Sequence, residues 1–247
     1  MESMSDLTIV ITSKNEPYLE RTIDDVLDHS EMGVKIFAEE DSGIGQRAML
    51  NKLARQVKTK YLMKLDAHCS LSQGFDRVLL SKMEDNMIMA PYLFPLDVKE
   101  WQVKPSPKTS AYCFDTNLVM QYHTEAENNE PVNETMCLQG SAWLMTVENY
   151  WKWNVCDESL GSWGMQGTEL GISAWTNGGK CVTNKLAYYG HLFREKEEDF
   201  PYKRDKDAII KTRDIFKERF LNKKLIPIVE RFNFPCDWTK EFINTLK

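Results

Sequence analysis

No run in this 247-residue chain is long and apolar enough to span a bilayer. The opening residues Met1-Glu2-Ser3-Met4-Ser5-Asp6 are short and acidic, unlike a secretory leader, so neither insertion nor secretion is expected. The six cysteines, at 69, 113, 137, 156, 181 and 236, form no C-x-x-C pair and no framework spacing, which predicts reduced intracellular thiols. Cys69 is expected to pack rather than react. Histidine is scarce, with four in the chain, so each position carries weight. Excess positive charge is lacking too: the formal net charge is −6. The length suffices for one domain with a full core.

What is present is an alternation of strand and helix signals. Leu7-Thr8-Ile9-Val10-Ile11-Thr12 is a β-branched run of strand length, broken by Ser13-Lys14-Asn15-Glu16-Pro17 before a helical pattern with Leu19, Ile23, Val26 and Leu27. Val34-Lys35-Ile36-Phe37-Ala38 reads as a second strand, entering Glu39-Glu40-Asp41-Ser42-Gly43-Ile44-Gly45 and then a helix with Met49, Leu50, Leu53 and Ala54. Gly43 and Gly45 could let backbone amides approach a phosphate or could form a simple turn; they do not make the dinucleotide fingerprint G-x-G-x-x-G. A third strand, Tyr61-Leu62-Met63-Lys64-Leu65, ends in Asp66-Ala67-His68. The three loops then open on one edge of a parallel sheet, where ligands bind in open α/β folds.

Residues two apart on a strand project to one side, so the Asp66 carboxylate and His68 imidazole can converge on one divalent cation. A hard oxygen with a borderline nitrogen suits Mn²⁺ or a similar ion better than Ca²⁺, and leaves positions for a third protein group and for phosphates. Of the other histidines, His29 sits at an expected helix end, where a positive charge suits the helix dipole, and His123 in an acidic surface loop.

The motifs Thr12-Ser13-Lys14-Asn15-Glu16, Asp66-Ala67-His68-Cys69, Phe114-Asp115-Thr116-Asn117-Leu118, Gln139-Gly140-Ser141, Trp163-Gly164 and Gly190-His191-Leu192-Phe193-Arg194 occur in one order. In that order they resemble the motifs of the polypeptide N-acetylgalactosaminyltransferases (family 2/27-like), over roughly residues 6 to 200 of a GT-A catalytic domain. The resemblance implies Asp66, His68 and His191 as metal ligands, Arg194 and Arg47 facing the donor diphosphate, and Gly140 against the sugar. It also implies donor contacts from Thr12, Asn15, Glu16 and Asp66. His191 follows the strand-like Ala187-Tyr188-Tyr189-Gly190 and can complete a facial set from another edge of the crevice. Two departures stand out. The βα unit between the acidic turn after strand two and the Arg-bearing helix is missing, and the family's W-G-G-E-N-L-E is here Trp163-Gly164-Met165-Gln166-Gly167-Thr168-Glu169. Glu169 is then the nearest candidate for the acceptor-side carboxylate, with Trp163 opening its loop. The membrane anchor and lectin module of those animal enzymes have no counterpart, so the expectation is a cytoplasmic bacterial or viral enzyme.

Pro95, Pro105, Pro107 and Pro131, with the acidic run Glu125 to Glu130, make residues 91–135 read largely as loop and as a mobile lid. Five tryptophans lie between Trp143 and Trp175; all but Trp163 are taken as packing residues. From Lys203 to Lys224 nine basic residues face four acids. On one helix Lys206, Arg213, Lys217 and Lys224 would share a direction, either on a solvated helix or as a surface for an anionic acceptor such as nucleic acid.

The sequence thus reads as an α/β, GT-A-like nucleotide-sugar-binding domain over residues 1–200, with a mostly parallel central sheet and a helical C-terminal extension, 201–247, packed on the same domain. Its expected activity is metal-dependent glycosyl transfer, with Mn²⁺ or Mg²⁺, of a hexose or N-acetylhexosamine from a UDP-sugar to a hydroxyl of a protein, glycan or modified DNA base. Retention of configuration is implied by the resemblance alone. A viral DNA-modifying glycosyltransferase acting on a hydroxylated nucleobase and a non-catalytic sugar-nucleotide-binding protein are the other readings. A nucleotidyltransferase would want glycines beside Lys14, which that loop lacks.

Overall fold

A computed structural model describes residues 6–246; the acidic lead Met1–Ser5 lies outside them. The first half alternates as expected: β1 (Leu7–Ser13), α1 (Leu19–His29), β2 (Lys35–Glu40), α2 (Gln46–Ala54) and β3 (Tyr61–Asp66). A two-residue turn leads to β4 (Cys69–Leu71), followed by α3 (Phe75–Leu80), β5 (Met87–Asp97), β6 (Gln102–Val103), β7 (Tyr112–Phe114), β8 (Met120–Tyr122), β9 (Val132–Thr135) and β10 (Ala142–Thr146). Then come α4 (Val147–Lys152), α5 (Gln166–Thr176), β11 (Lys180–His191), α6 (Lys206–Phe220), α7 (Ile226–Arg231) and α8 (Lys240–Ile243). Among the described residues no helix is long and apolar enough to cross a membrane.

The main sheet runs β2-β1-β3-β10-β5-β11-β4, with β6 on β5 and β9 on β11. β1 pairs in parallel with β2 and β3, and β5 in parallel with β11, while β10 lies antiparallel between the two sets. Five strands thus share one direction, and their C-terminal ends open on one edge. Side chains alternate between the faces. Ile9, Ile11, Met63 and Leu65 pack with Val26 and Phe75 on one side, whereas Val10, Leu62 and Met145 pack with Leu50, Leu53, Tyr150 and Leu170 on the other. Both faces are covered, which is why β1 is a buried, largely β-branched run rather than an alternation of apolar and polar residues. A third cluster joins Tyr112, Phe114 and Ile172 to Phe216, Ile228, Val229 and Trp238 of the C-terminal residues.

Helix α1 turns a polar edge inward. Leu27, expected on its apolar face, is exposed, and Thr22 and Asp25 are buried instead. Thr22 Oγ1 accepts from the Cys69 amide and Asp25 Oδ1 from the Leu71 amide, so the helix satisfies the outer edge of β4 that no strand covers.

Three further expectations are corrected. Residues 91–135 are less wholly loop than expected: β5 continues through Pro91 and Pro95, paired with Asn184 and His191 of β11, and the short strands β6 to β9 lie between the stretches of loop that follow. On the side away from β11, β10 meets β5 only at Leu144↔Met89 and β6 joins it at Leu96 and Asp97, so Pro91 and Pro95 fall in the gap between, where a proline's missing N–H costs no ladder bond. The basic stripe is not one helix. α6 ends at Phe220, and Asn222 Oδ1 caps a new turn by accepting from the Lys224 amide at 3.0 Å, separating Lys224 from Lys206, Arg213 and Lys217. The cysteines are not all free: Cys113 and Cys236 form a disulfide across 123 positions, a pairing made by the third cluster rather than by local spacing, while the other four are buried thiols.

Candidate functional site

The open edge of the sheet holds a crevice of about 560 Å³. Asp66 is the last residue of β3, with its amide bonded to the Ser141 carbonyl at 2.8 Å. His68 sits in the tight turn to β4, and β4 pairs antiparallel with β11 so that His191 stands opposite Cys69. The strand order thereby brings His191 beside a motif 123 residues earlier. Its Nε2 lies 3.1 Å from Nε2 of His68 and 3.3 Å from Oδ2 of Asp66.

The donor set fits a divalent ion. His68 Nδ1 lies 2.9 Å from Oε2 of Glu16, a carboxylate that can only accept, so Nδ1 carries the proton and Nε2 presents its lone pair. Arg194 also comes within 3.4 Å of Nδ1, but a nitrogen donating to Glu16 has no lone pair for it. Burial pushes the His191 imidazole down to about 4, against the pull of Asp66, so it stays neutral. Burial alone would raise Asp66; the Lys64 ammonium and the His191 hydrogen bond outweigh it and hold the carboxyl well below the usual carboxylate range. One carboxylate and two imidazole nitrogens therefore converge. With His191 Nε2 at 3.1 and 3.3 Å from the other two groups, and all three ligand atoms within 4.8 Å of one another, these residues could together hold one divalent ion. The same three residues form the metal-competent cluster found among the described residues.

Behind this set lies a chain of buried charge. Arg194 NH2 donates to Glu16 Oε1 at 2.7 Å, and both side chains are almost fully buried. Burial would raise Glu16, but its bonds to His68 and Arg194 keep it below its ordinary value. Glu16 and Arg194 both line the crevice, Glu16 also orienting the His68 ring and Arg194 committing part of its guanidinium to Glu16.

Thr12, Gly140 and Trp163 also line the crevice, Trp163 being 40% exposed. Asn15 does not: it turns at φ 51°, with its amide bound to Glu40. Arg47 and Glu169 are withdrawn from it as well, each with a side chain no more than 2% exposed. Arg47 donates to Glu169 Oε2 from Nε at 3.1 Å and NH2 at 2.8 Å, and to the carbonyls of Gly161 and Gly164, while Glu169 Oε1 accepts from the Asp157 amide. Burial raises the Glu169 carboxyl, an effect Arg47 only partly offsets. This pair ties α2 and α5 to the loop carrying Trp163, and neither side chain lines the crevice. Gly43 and Gly45 likewise give their amides to Asp41 Oδ1, the simple-turn alternative, and a Cβ on Gly45 would fall 2.5 Å from that of Ser162.

Two residues that sequence reasoning passed over do line the crevice. Gln166 begins α5 with its amide against Gly140, where an added Cβ would meet Oε1 at 3.2 Å. Counting from Trp163 in the family pattern would have found it, since Gln166 stands at the first acidic position and Glu169 at the last. The helix comes this close because Gly167 and Gly171 lie on the backbone of residues 136–138, where any Cβ would clash. The other is Lys64, hidden inside an apolar run although it is two residues from Asp66 on the same strand face. Phe200, Tyr202 and Arg213 bring the C-terminal residues into the wall.

No family model matches the chain. In sequence it is 26% identical over 163 residues to the Drosophila melanogaster protein "Putative polypeptide N-acetylgalactosaminyltransferase 13", covering 63% of this chain and 29% of that one. It is 24% identical over 200 residues to "Putative polypeptide N-acetylgalactosaminyltransferase 9" of the same organism, covering 76% of this chain and 30% of the other. This chain therefore spans less than a third of the length of these curated relatives. In structure it superposes on GalNAc-T7, solved with UDP, GalNAc and Mn²⁺, with a TM-score of 0.72 at 15% identity, covering 99% of this chain and 54% of that one. The fold is accordingly the GT-A fold of that structure.

Proposed function

We propose that this chain is a divalent-metal-dependent glycosyltransferase that moves a hexose or N-acetylhexosamine from a UDP-sugar to a hydroxyl acceptor, with retention at the anomeric carbon. The observation that carries the proposal is the convergence of Asp66, His68 and His191 on the floor of the crevice, at the open edge of a GT-A sheet. Asp66, His68 and His191 would hold Mn²⁺ or Mg²⁺, whose charge, when bound, neutralises the leaving diphosphate.

The chain's own residues supply the rest. Glu16 holds the His68 ring in the tautomer that leaves Nε2 free, and Arg194 in turn holds Glu16, so the site is positioned before any ligand arrives. Gly140 leaves room for the sugar beside β10, and Gln166 offers it an amide where the related enzymes carry a carboxylate. Trp163 supplies an aromatic face at the opposite wall. The acceptor is a hydroxyl compound that enters between this wall and the segment of Phe200 and Tyr202; neither the interrupted basic stripe nor the relatives' names favour nucleic acid.

The test is UDP release from a panel of UDP-sugars. Turnover should vanish in chelator, return with Mn²⁺, and be absent from Asp66→Ala. Equal turnover in chelator, or in a folded Asp66→Ala variant, would overturn the proposal.

A further inference from the structure

Lys64 lies in the interior of β3, and its side chain is 1% exposed. An ammonium cannot be buried there without partners. Its Nζ donates to Asp66 Oδ1 and, at 2.7 Å, to the Gly140 carbonyl. An ammonium has three donors. Two are accounted for, no third partner occurs among the described residues, and Lys64 lines the crevice.

The placement is specific. Asp66 gives Oδ1 to Lys64 and turns Oδ2 toward His191, so the lysine leaves one oxygen for an ion. Lys64 stands between the ligand set and Gly140. In the donor-site reading, on which this inference rests, that is the ground between metal and sugar, where the diphosphate must lie.

We infer that Lys64 is a second, protein-built cation of the donor site: its third N–H holds an anionic oxygen of the donor diphosphate, and its grip on Asp66 weakens metal affinity. The chain then retains part of its hold on the diphosphate without metal. A lysine that merely filled space would do neither.

The experiment compares wild type with Lys64→Met and Lys64→Arg, each checked for folding by circular dichroism. Calorimetry measures UDP affinity in chelator, and electron paramagnetic resonance of free Mn²⁺ measures the affinity for Mn²⁺ alone. Loss of a charge-assisted hydrogen bond should weaken metal-free UDP binding by about tenfold to a hundredfold in Lys64→Met. Lys64→Arg, which keeps the charge, should lose less. Mn²⁺ alone should bind roughly tenfold tighter to Lys64→Met, because Asp66 no longer shares its charge with an ammonium. Unchanged metal-free UDP affinity, or a wild type that binds UDP only with Mn²⁺, overturns the diphosphate contact. Unchanged or weaker Mn²⁺ binding overturns the grip on Asp66. If wild type binds no UDP under any condition, the donor reading fails with the contact, while the Mn²⁺ measurement still decides the grip. Should Lys64→Met not fold, the neutral Lys64→Gln reads the same two affinities.

Discussion

Arg47→Met should cost the fold about 3–5 kcal/mol, because it leaves the Glu169 carboxylate buried without its counter-charge. The structure supports the upper half of that range. The guanidinium makes two bonds to Glu169 and one each to the carbonyls of Gly161 and Gly164, so its removal orphans both a charge and two loop acceptors. For a chain of this size each kcal/mol lowers Tm by about 2–4 °C, giving a fall of about 8–20 °C. Glu169→Leu alone should cost a similar amount, since it strands the arginine. The double variant should recover most of the loss, because an apolar pair needs no desolvated charge. Thermal denaturation of the four proteins makes the cycle. UDP affinity, measured well below Tm, should remain near wild type, as neither side chain lines the crevice. Single losses below about 1 kcal/mol, or a double variant as unstable as the sum of the singles, would refute the ion-pair account. Intact stability with collapsed turnover in Glu169→Gln would return Glu169 to the chemistry.

Three more outcomes follow from the site. Glu16→Gln should weaken Mn²⁺ binding by about tenfold to a hundredfold without touching the ligands, because the His68 ring loses the carboxylate that fixes its tautomer; unchanged Mn²⁺ titrations would refute this. His191 titrates at about 4 folded against 6.5 unfolded, so between those values the unfolded chain takes up the proton first. Its stability contribution, about 3 kcal/mol at most, is full above pH 6.5 and is lost as pH falls toward 4. Metal-free His191→Gln should flatten the Tm-against-pH curve in that window, and a parallel curve would contradict the sign. Gly140→Ala should weaken UDP-sugar binding roughly tenfold while sparing UDP, since the new methyl meets the Gln166 amide on the sugar side; equal losses would move Gly140 to the diphosphate.

The metal-competent set was legible because its signals are local. An apolar run that stops at Asp66-Ala67-His68 states both a strand and the common direction of two metal-competent side chains, and His191 ends another strand-like run. Proline content misled over the start of residues 91–135, because prolines in the gap between β10 and β6 along β5 look the same in sequence as prolines in a loop. What α1 buries was misjudged for a related reason. Its inward face serves the amides of Cys69 and Leu71, so polar Thr22 and Asp25 go inside while Leu27 stays out.

Buried charge was the hardest part to read, and the reason is general. A surface ion pair leaves periodic traces along a helix, whereas the partner of a buried charge is set by tertiary approach alone. Arg47 and Glu169 are 122 positions apart and Glu16 and Arg194 are 178 apart, so no window of sequence contains either pair. Charge therefore pointed to Glu169 as the acceptor-side group when register pointed to Gln166. The same blindness concealed Lys64, which hydropathy assigns to the core and geometry assigns to the crevice. In this fold, a charged residue within an apolar strand is informative when it falls on the same face as a ligand two positions away, because that parity determines whether the charge meets the site or the opposite core.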